Sequence, residues 1–167
     1  MNASAKPQFL PALVLAAGMA ATVGTALGFQ YIGGYIPCAL CYMEREPYYF
    51  SIPVAIVAAV AALLKMPAWL VKAFLVIVLI AMLIGAGLGT YHAGAEWGFW
   101  PGPSTCSTPV NAVTKDAGNL LNDLNAVHGP SCTEAALRVL GLSFAGWNVV
   151  ASLILAGIAA WGIRRKA

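Results

Sequence analysis

The chain has 167 residues, of which 60% are hydrophobic and only 9% are charged, and its mean hydropathy is +0.80. A soluble domain carries about a quarter charged residues, so this composition excludes an ordinary soluble globular protein and favours a lipid bilayer as the surrounding solvent. The net charge of +3 is small, and the sequence contains no basic stripe of the kind that binds nucleic acid.

Four apolar stretches are long enough to cross roughly 30 Å of hydrocarbon as helices. They cover residues 10–29, 47–64, 69–91 and 144–163. The first is too long for the apolar core of a signal peptide. We therefore predict an all-α membrane protein, a four-transmembrane-helix bundle with a long outer loop at 92–143. Residues 1–167 are expected to form a single integral membrane domain.

The basic residues indicate the orientation of this bundle. Both tails and the short turn at 65–72 share one side, which holds no acidic residue and six basic ones: Lys6, Lys65, Lys72, Arg164, Arg165 and Lys166. The other side holds three basic residues and all six acidic ones. By the positive-inside rule the N and C termini are expected in the cytoplasm and all four cysteines outside it. We expect a bacterial inner membrane, whose outer side is the oxidising periplasm.

Two glycine pairs, Gly24/Gly28 and Gly85/Gly89, match the G-x-x-x-G pattern. Small residues at this spacing let neighbouring membrane helices approach closely. We therefore predict a helix contact at each pair.

The outer loop contains two further helical patterns. Apolar residues repeat at three- and four-residue steps over 113–127, which predicts an amphipathic helix. A shorter helix is predicted over 133–142, ending near Gly141.

The most specific short motif is PCALCYMER at residues 37–45, a C-x-x-C pair followed by Glu-Arg. Such pairs occur in tetrahedral zinc sites, but the other two cysteines, Cys106 and Cys132, are separated by 25 residues rather than by a few. We therefore predict no metal site. Two fixed structural disulfides are an alternative, although a bridge within C-x-x-C closes too small a loop to stabilise the fold much. A pair that opens and closes in redox chemistry is more typical of this spacing.

If the proline of this motif begins the second membrane helix, Cys38, Cys41 and Arg45 lie on one narrow stripe of its surface. The positive end of the helix dipole and the guanidinium then both favour the thiolate, which is the reactive form of cysteine. Arg45 is equally compatible with an interfacial anchor neutralised by Glu44 or Glu46. Electrons from the thiols need an acceptor, and the sequence has no haem-attachment or dinucleotide-binding motif. A lipid-soluble acceptor is the simplest expectation.

Three stretches together resemble the disulfide bond formation protein B (DsbB) family over nearly the whole chain. They are PCALCYMER, YHAGAEWGFWPGPSTC and SCTEAALRVLGLSFAGWN. The resemblance implies a membrane thiol oxidase that reoxidises a periplasmic, DsbA-like protein of the thioredoxin fold. It also implies that the electrons pass to a membrane quinone, either ubiquinone or menaquinone.

The resemblance assigns a role to each cysteine pair. Cys106 and Cys132 would form the disulfide that faces the partner protein, with Cys106 as the point of attack. Cys38 and Cys41 would receive the electrons by disulfide exchange and pass them to the quinone.

Two further residues match the family. Arg45 would help to hold the quinone, and His92, near the outer end of the third helix, would lie near the quinone and could shuttle a proton. An ordinary interfacial histidine is the alternative for His92.

Three other functions are open from sequence. The chain could be a specialised relative that serves another partner, or a quinone-linked protein of the unrelated vitamin K epoxide reductase type. It could also be a non-enzymatic tetraspan scaffold with fixed structural disulfides.

Overall fold

The computed structural model describes residues 6–103 and 132–165. Cys106 and the amphipathic helix predicted over 113–127 lie outside the described residues. The elements, in chain order, are α1 (Lys6–Tyr31), α2 (Ala39–Leu63), α3 (Ala68–Glu96), β1 (Arg138–Val139), β2 (Leu142–Ser143) and α4 (Phe144–Arg164). All four helices are long and apolar enough to span a membrane. The predicted four-helix membrane bundle is therefore confirmed.

The helices bury many alanines and a few larger side chains, and they leave many large apolar side chains exposed. Leu15, Met19, Leu75 and Met82 are fully buried together with many alanines. Many other large aliphatic residues point outward, and Ile84 is 55% exposed. A soluble bundle would bury such residues, so this outer surface fits contact with lipid, where association depends on close packing of small residues.

The two glycine pairs differ in what they contact. A Cβ added at Gly85 would lie 3.2 Å from Ser152 Oγ, and one at Gly89 would lie 3.0 Å from Val149 Cγ2. The predicted close contact at this pair is therefore confirmed, and it joins α3 to α4. The prediction for Gly24 and Gly28 was wrong, because no described atom lies within 4 Å of a Cβ added at either.

The helices extend beyond the predicted apolar spans. Helix α2 begins at Ala39 rather than at residue 47, and α3 continues to Glu96, so that His92 lies inside a helix. Hydropathy detects only the part of a helix whose side chains are apolar enough to face lipid without a partner. Polar residues such as Glu44 extend the helix further because they find partners on other helices.

Residues 138–143 form a hairpin, so the helix predicted over 133–142 was wrong. Arg138 pairs with Ser143 and Val139 with Leu142. Leu140 and Gly141 turn the chain with positive φ angles of 53° and 85°, which a helix does not accept.

Helix α4 begins directly after the hairpin. Ser143 is the N-cap, and its Oγ accepts a hydrogen bond of 3.2 Å from the Gly146 amide. Trp147 Nε1 donates to the carbonyl oxygen of Val139 at 3.0 Å. The hairpin is therefore attached to the N-terminal end of α4.

We expect Gly89→Leu to destabilise the bundle, because the new side chain would collide with Val149 and with the backbone of Ala145. Overpacking of this kind costs about 1–3 kcal/mol. Unfolding of the purified protein by denaturing detergent, followed by circular dichroism, measures the change in stability.

Gly87→Leu is the matched control, since Gly87 lies on the same helix and no atom of the residues that the structure describes lies within 4 Å of a Cβ built there. Equal losses of stability in the two variants would show that close packing of α3 on α4 is not the cause.

Candidate redox site

The C-x-x-C pair lies at the start of α2. Cys38 is the N-cap, and its sulfur accepts a hydrogen bond of 3.3 Å from the Cys41 amide. This bond is the one that a capping serine or aspartate makes, and it turns the first sulfur towards the second. The two sulfurs are 2.9 Å apart, and both cysteines are free thiols. Helix α2 begins one residue after Cys38, so Cys38 caps the helix rather than lying in its first turn.

His92 connects this pair to a buried carboxylate. Its Nε2 is 3.6 Å from Cys38 Sγ, and its Nδ1 is 2.6 Å from Glu44 Oε1. The side chains of His92 and Glu44 are only 4% and 8% exposed. A histidine held at Nδ1 presents its other nitrogen in a fixed direction, here towards the thiol. Thiol, imidazole and carboxylate therefore form a continuous chain between α2 and α3.

A further set of polar residues holds Glu44 from α4. Asn148 Nδ2 donates to Glu44 Oε2 at 3.0 Å. The Tyr48 hydroxyl lies 2.7 Å from both Asn148 Oδ1 and Ser152 Oγ. Glu44 thus has a partner on each oxygen, as a buried carboxylate requires.

Sequence reasoning missed this polar set. It considered Glu44 only as a neutraliser of Arg45. The available signal was the i, i+4 spacing of Asn148 and Ser152 on an otherwise apolar helix, because polar side chains within membrane helices usually face a partner.

The surroundings of Cys38 favour its thiolate. The pKa of the Cys38 thiol is lowered from its ordinary value of 9.0 to about 4, mainly by the hydrogen bond with the Cys41 thiol. Burial acts in the opposite direction, and the hydrogen bond and charge of His92 add to the lowering. Cys38 is therefore the better leaving group and nucleophile of the pair.

An apolar cavity of about 430 Å³ lies beside Cys41, between α1, α2, α4 and the hairpin. Its polar lining includes Cys41, Glu44, Arg45, Gln30, Tyr48 and Asn148. Arg45 Nη1 donates a hydrogen bond of 2.6 Å to Gln30 Oε1, and its guanidinium lies 5.6 Å from the ring centre of Tyr42. Arg45 forms no ion pair with Glu44 or Glu46, whose positions are described. His92 does not line the cavity.

Cys132 approaches the pair from the segment that precedes the hairpin. It is buried and disulfide-bonded. Its sulfur, the sulfur of Cys38 and a ring nitrogen of His92 all lie within 4.8 Å of one another. The structure therefore brings Cys38, Cys41, His92 and Cys132 together and connects Arg45 to them through the cavity beside Cys41.

We expect the alkylation rate of Cys38 in the reduced protein to stay nearly constant between pH 8 and pH 5 and to fall as the pH approaches 4. The lowered pKa keeps the thiolate present far below the pH at which an ordinary thiol is protonated. Mass spectrometry after timed exposure to iodoacetamide measures the rate. A rate that rises about tenfold per pH unit up to pH 9 would show an ordinary thiol.

Comparisons with known proteins show the family of the chain. The family model described as "Disulfide bond formation protein DsbB" matches residues 8–162. The chain is 30% identical over 158 residues to the disulfide bond formation protein B of Saccharophagus degradans, with 93% of each chain covered. It is 29% identical over 167 residues to the protein of the same name from Nitrosococcus oceani, covering 99% of this chain and 95% of that one.

A third relative is an uncharacterized protein of Rickettsia prowazekii, 29% identical over 134 residues, covering 80% of this chain and 74% of the relative. The family match spans nearly the whole chain, and the fold is the expected bundle of membrane-spanning helices. The chain therefore belongs to the DsbB family of disulfide bond formation proteins, as a multi-pass membrane member.

Proposed function

We propose that this protein is a thiol oxidase of the bacterial inner membrane that reoxidises a periplasmic DsbA-like dithiol protein and delivers the electrons to a membrane quinone. Its tails would face the cytoplasm and its cysteines the periplasm. The observation that carries the proposal is the position of Cys38. Its sulfur contacts Cys41 at 2.9 Å and lies within 4.8 Å of the Cys132 sulfur, so one thiol joins both cysteine pairs.

The proposed exchange starts at the disulfide between Cys132 and Cys106. A partner thiolate attacks Cys106, a mixed disulfide forms, and Cys132 leaves as a thiolate. Cys132 then attacks Cys38 of an oxidised Cys38–Cys41 pair, so that a Cys132–Cys38 bond forms and Cys41 leaves as a thiolate.

The partner's second thiolate next attacks the mixed disulfide, which releases the oxidised partner and the Cys106 thiolate. Cys106 attacks Cys132, restores the first disulfide and expels Cys38 as a thiolate. The partner has lost two electrons, and the Cys38–Cys41 pair has gained them.

His92 and Glu44 assist Cys38 in this sequence. Exchange is faster when the leaving sulfur has a low pKa. Glu44 holds His92 at Nδ1, so Nε2 faces the sulfur that leaves last. The family resemblance placed His92 near a quinone, but its ring contacts Cys38 and not the cavity. We therefore propose that His92 stabilises the Cys38 thiolate by its charge and supplies the proton to that sulfur.

The cavity beside Cys41 fits a quinone. Its volume of about 430 Å³ lies within the roughly 300–1,000 Å³ typical of small-molecule sites, and most of its lining is apolar. A bound quinone would supply an acceptor for two electrons and two protons. Arg45 would place a permanent positive charge beside Cys41 and bind an oxygen that gathers negative charge. Gln30 holds that guanidinium in position.

The direct test is quinone reduction by the purified protein in detergent with a reduced DsbA-like protein as electron donor. We expect the quinone absorbance to fall only when protein, donor and quinone are all present. Cys38→Ser should abolish turnover, because it removes the sulfur that joins the two pairs. Glu46→Gln, an exposed acid on the same helix, is the matched control and should retain activity.

The same preparation separates an oxidase from a scaffold with fixed disulfides. In an oxidase, the free Cys106 of Cys132→Ser should attack the disulfide of an oxidised DsbA-like protein and form a mixed disulfide with it, visible on a non-reducing gel. Cysteines that all resist exchange, together with no reduction of ubiquinone or menaquinone, would establish the scaffold instead.

We expect Arg45→Ala to raise the apparent KM for quinone by about tenfold or more while changing that for the dithiol donor much less. A hydrogen bond to a charged group contributes about 1.5–3 kcal/mol, which corresponds to at least this factor. Steady-state kinetics with each substrate varied in turn measures the two constants. An unchanged dependence on quinone would return Arg45 to the role of an interfacial anchor.

A further inference from the structure

The two cysteine pairs meet at a junction formed by Cys38, Cys132 and His92. This junction holds more metal-ligating groups than disulfide exchange alone requires. Two sulfurs, Cys38 and Cys132, and a ring nitrogen of His92 lie within 4.8 Å of one another, all buried. Glu96 adds a carboxylate, with Oε1 3.8 Å from His92 Nε2. The Glu96 side chain is only 5% exposed, and its Oε2 has no hydrogen-bond partner. An unpartnered buried carboxylate oxygen beside an imidazole indicates space for a cation or a proton.

From this geometry we infer that the fully reduced protein binds one zinc ion, or another thiophilic divalent cation, through Cys38, Cys132 and His92, with the Glu96 carboxylate close to the imidazole. Cys132 is disulfide-bonded in the structure, so its sulfur becomes a ligand only after that disulfide has been reduced. The inference depends on the geometry of the junction and not on the quinone or the partner protein.

The distances suit tetrahedral coordination. Bonds of about 2.3 Å to sulfur and about 2.1 Å to nitrogen keep the two ligand atoms of a tetrahedral zinc ion roughly 3.6 Å apart. Cys38 Sγ and His92 Nε2 are 3.6 Å apart. Glu96 Oε1 lies 3.8 Å from His92 Nε2 but outside the cluster whose ligand atoms all lie within 4.8 Å of one another, so this carboxylate would have to move to become a fourth ligand. Thiolate, imidazole and carboxylate are all ordinary zinc ligands.

The residues around the junction already orient the imidazole as a metal site would. Histidine ligands usually donate their second nitrogen to a carboxylate, which fixes the ring and raises its basicity. Glu44 Oε1 lies 2.6 Å from His92 Nδ1, and Asn148 holds the other oxygen of Glu44. His92 Nε2 is therefore aimed at the two sulfurs before any ion arrives.

Cys41 is not part of the proposed site, although it belongs to the C-x-x-C motif. It lines the apolar cavity, whereas the metal-ligand cluster consists of Cys38, His92 and Cys132. The proposed site therefore differs from the binding of a metal by both thiols of the C-x-x-C motif. It predicts that the Cys41 thiol stays reactive when the metal is bound.

Bound zinc would hold the protein in its reduced form. A thiolate that is bound to a metal is no longer available to attack a disulfide. The ion would occupy the two sulfurs that must meet for electrons to pass between the pairs, so zinc would act as an inhibitor at the junction.

The test is zinc binding by the purified protein after reduction with a phosphine and removal of the reductant, without quinone or donor. We expect one Zn²⁺ per chain by competition with a chromophoric chelator, and none before reduction. Co²⁺ in place of Zn²⁺ should show thiolate charge-transfer absorption. Absence of zinc uptake by the reduced protein would overturn the proposal and leave the proposed oxidase unaffected.

Matched variants locate the ion. Cys38→Ser and Cys132→Ser should abolish binding, whereas Cys41→Ser, the same change three residues along, should retain it. Glu44→Gln should weaken binding by about 10- to 100-fold, as expected for a residue that orients a ligand. Equal loss in Cys41→Ser and Cys38→Ser would reassign the metal to the C-x-x-C dithiol and overturn the proposal.

A measurement on the unaltered chain avoids any variant that fails to fold. We expect Zn²⁺ to protect Cys38 and Cys132 from N-ethylmaleimide in the reduced protein while Cys41 still reacts, as read by mass spectrometry of the peptides. Protection of Cys41 instead of Cys132 would contradict the proposed ligand set.

Discussion

The contact between Glu44 and His92 is the interaction on which the rest of the site depends. An ionisable group inside a membrane helix is costly unless a partner compensates it, and these two groups compensate each other at 2.6 Å. One residue belongs to α2 and the other to α3, and Asn148 adds α4 through the second carboxylate oxygen. Three helices are thus fixed in register at the depth of Cys38.

This polar core works together with the packing of small residues around it. Gly85 and Gly89 bring α3 close to α4, and this approach leaves Asn148 and Ser152 next to the residues that they hold. The Tyr48 hydroxyl lies between those two side chains and is itself fully buried. The dispersion contacts and the hydrogen bonds therefore favour the same arrangement of the helices. This one arrangement fixes the surroundings of the Cys38 thiol.

The four membrane spans were predictable because a span is recognised from the hydropathy of about twenty consecutive residues. This sum does not depend on contacts between helices. The ends of the helices were not predictable in this way. Glu44 and His92 are each tolerated within a membrane helix only because the other compensates its polarity. The two glycine pairs make the same point. Both pairs match the same motif, but among the described residues only Gly85 and Gly89 meet a neighbouring helix.

At the site, the sequence placed the C-x-x-C pair at the head of α2 but did not reveal its partners. Spacing along one helix suggested Arg45 as the group that activates the thiols. In the structure His92 faces Cys38 from another helix, and Arg45 bonds to Gln30 on α1. Contacts between helices do not leave a periodic trace in a single sequence, so residue type and spacing were insufficient there.

The two sulfurs of the C-x-x-C pair face different surroundings. Cys38 is buried against His92 and Cys132, whereas Cys41 is partly exposed and borders the apolar cavity. The two sulfurs are only 2.9 Å apart, yet they face different sets of residues. A small molecule in the cavity would therefore meet Cys41 and not Cys38, which does not line it.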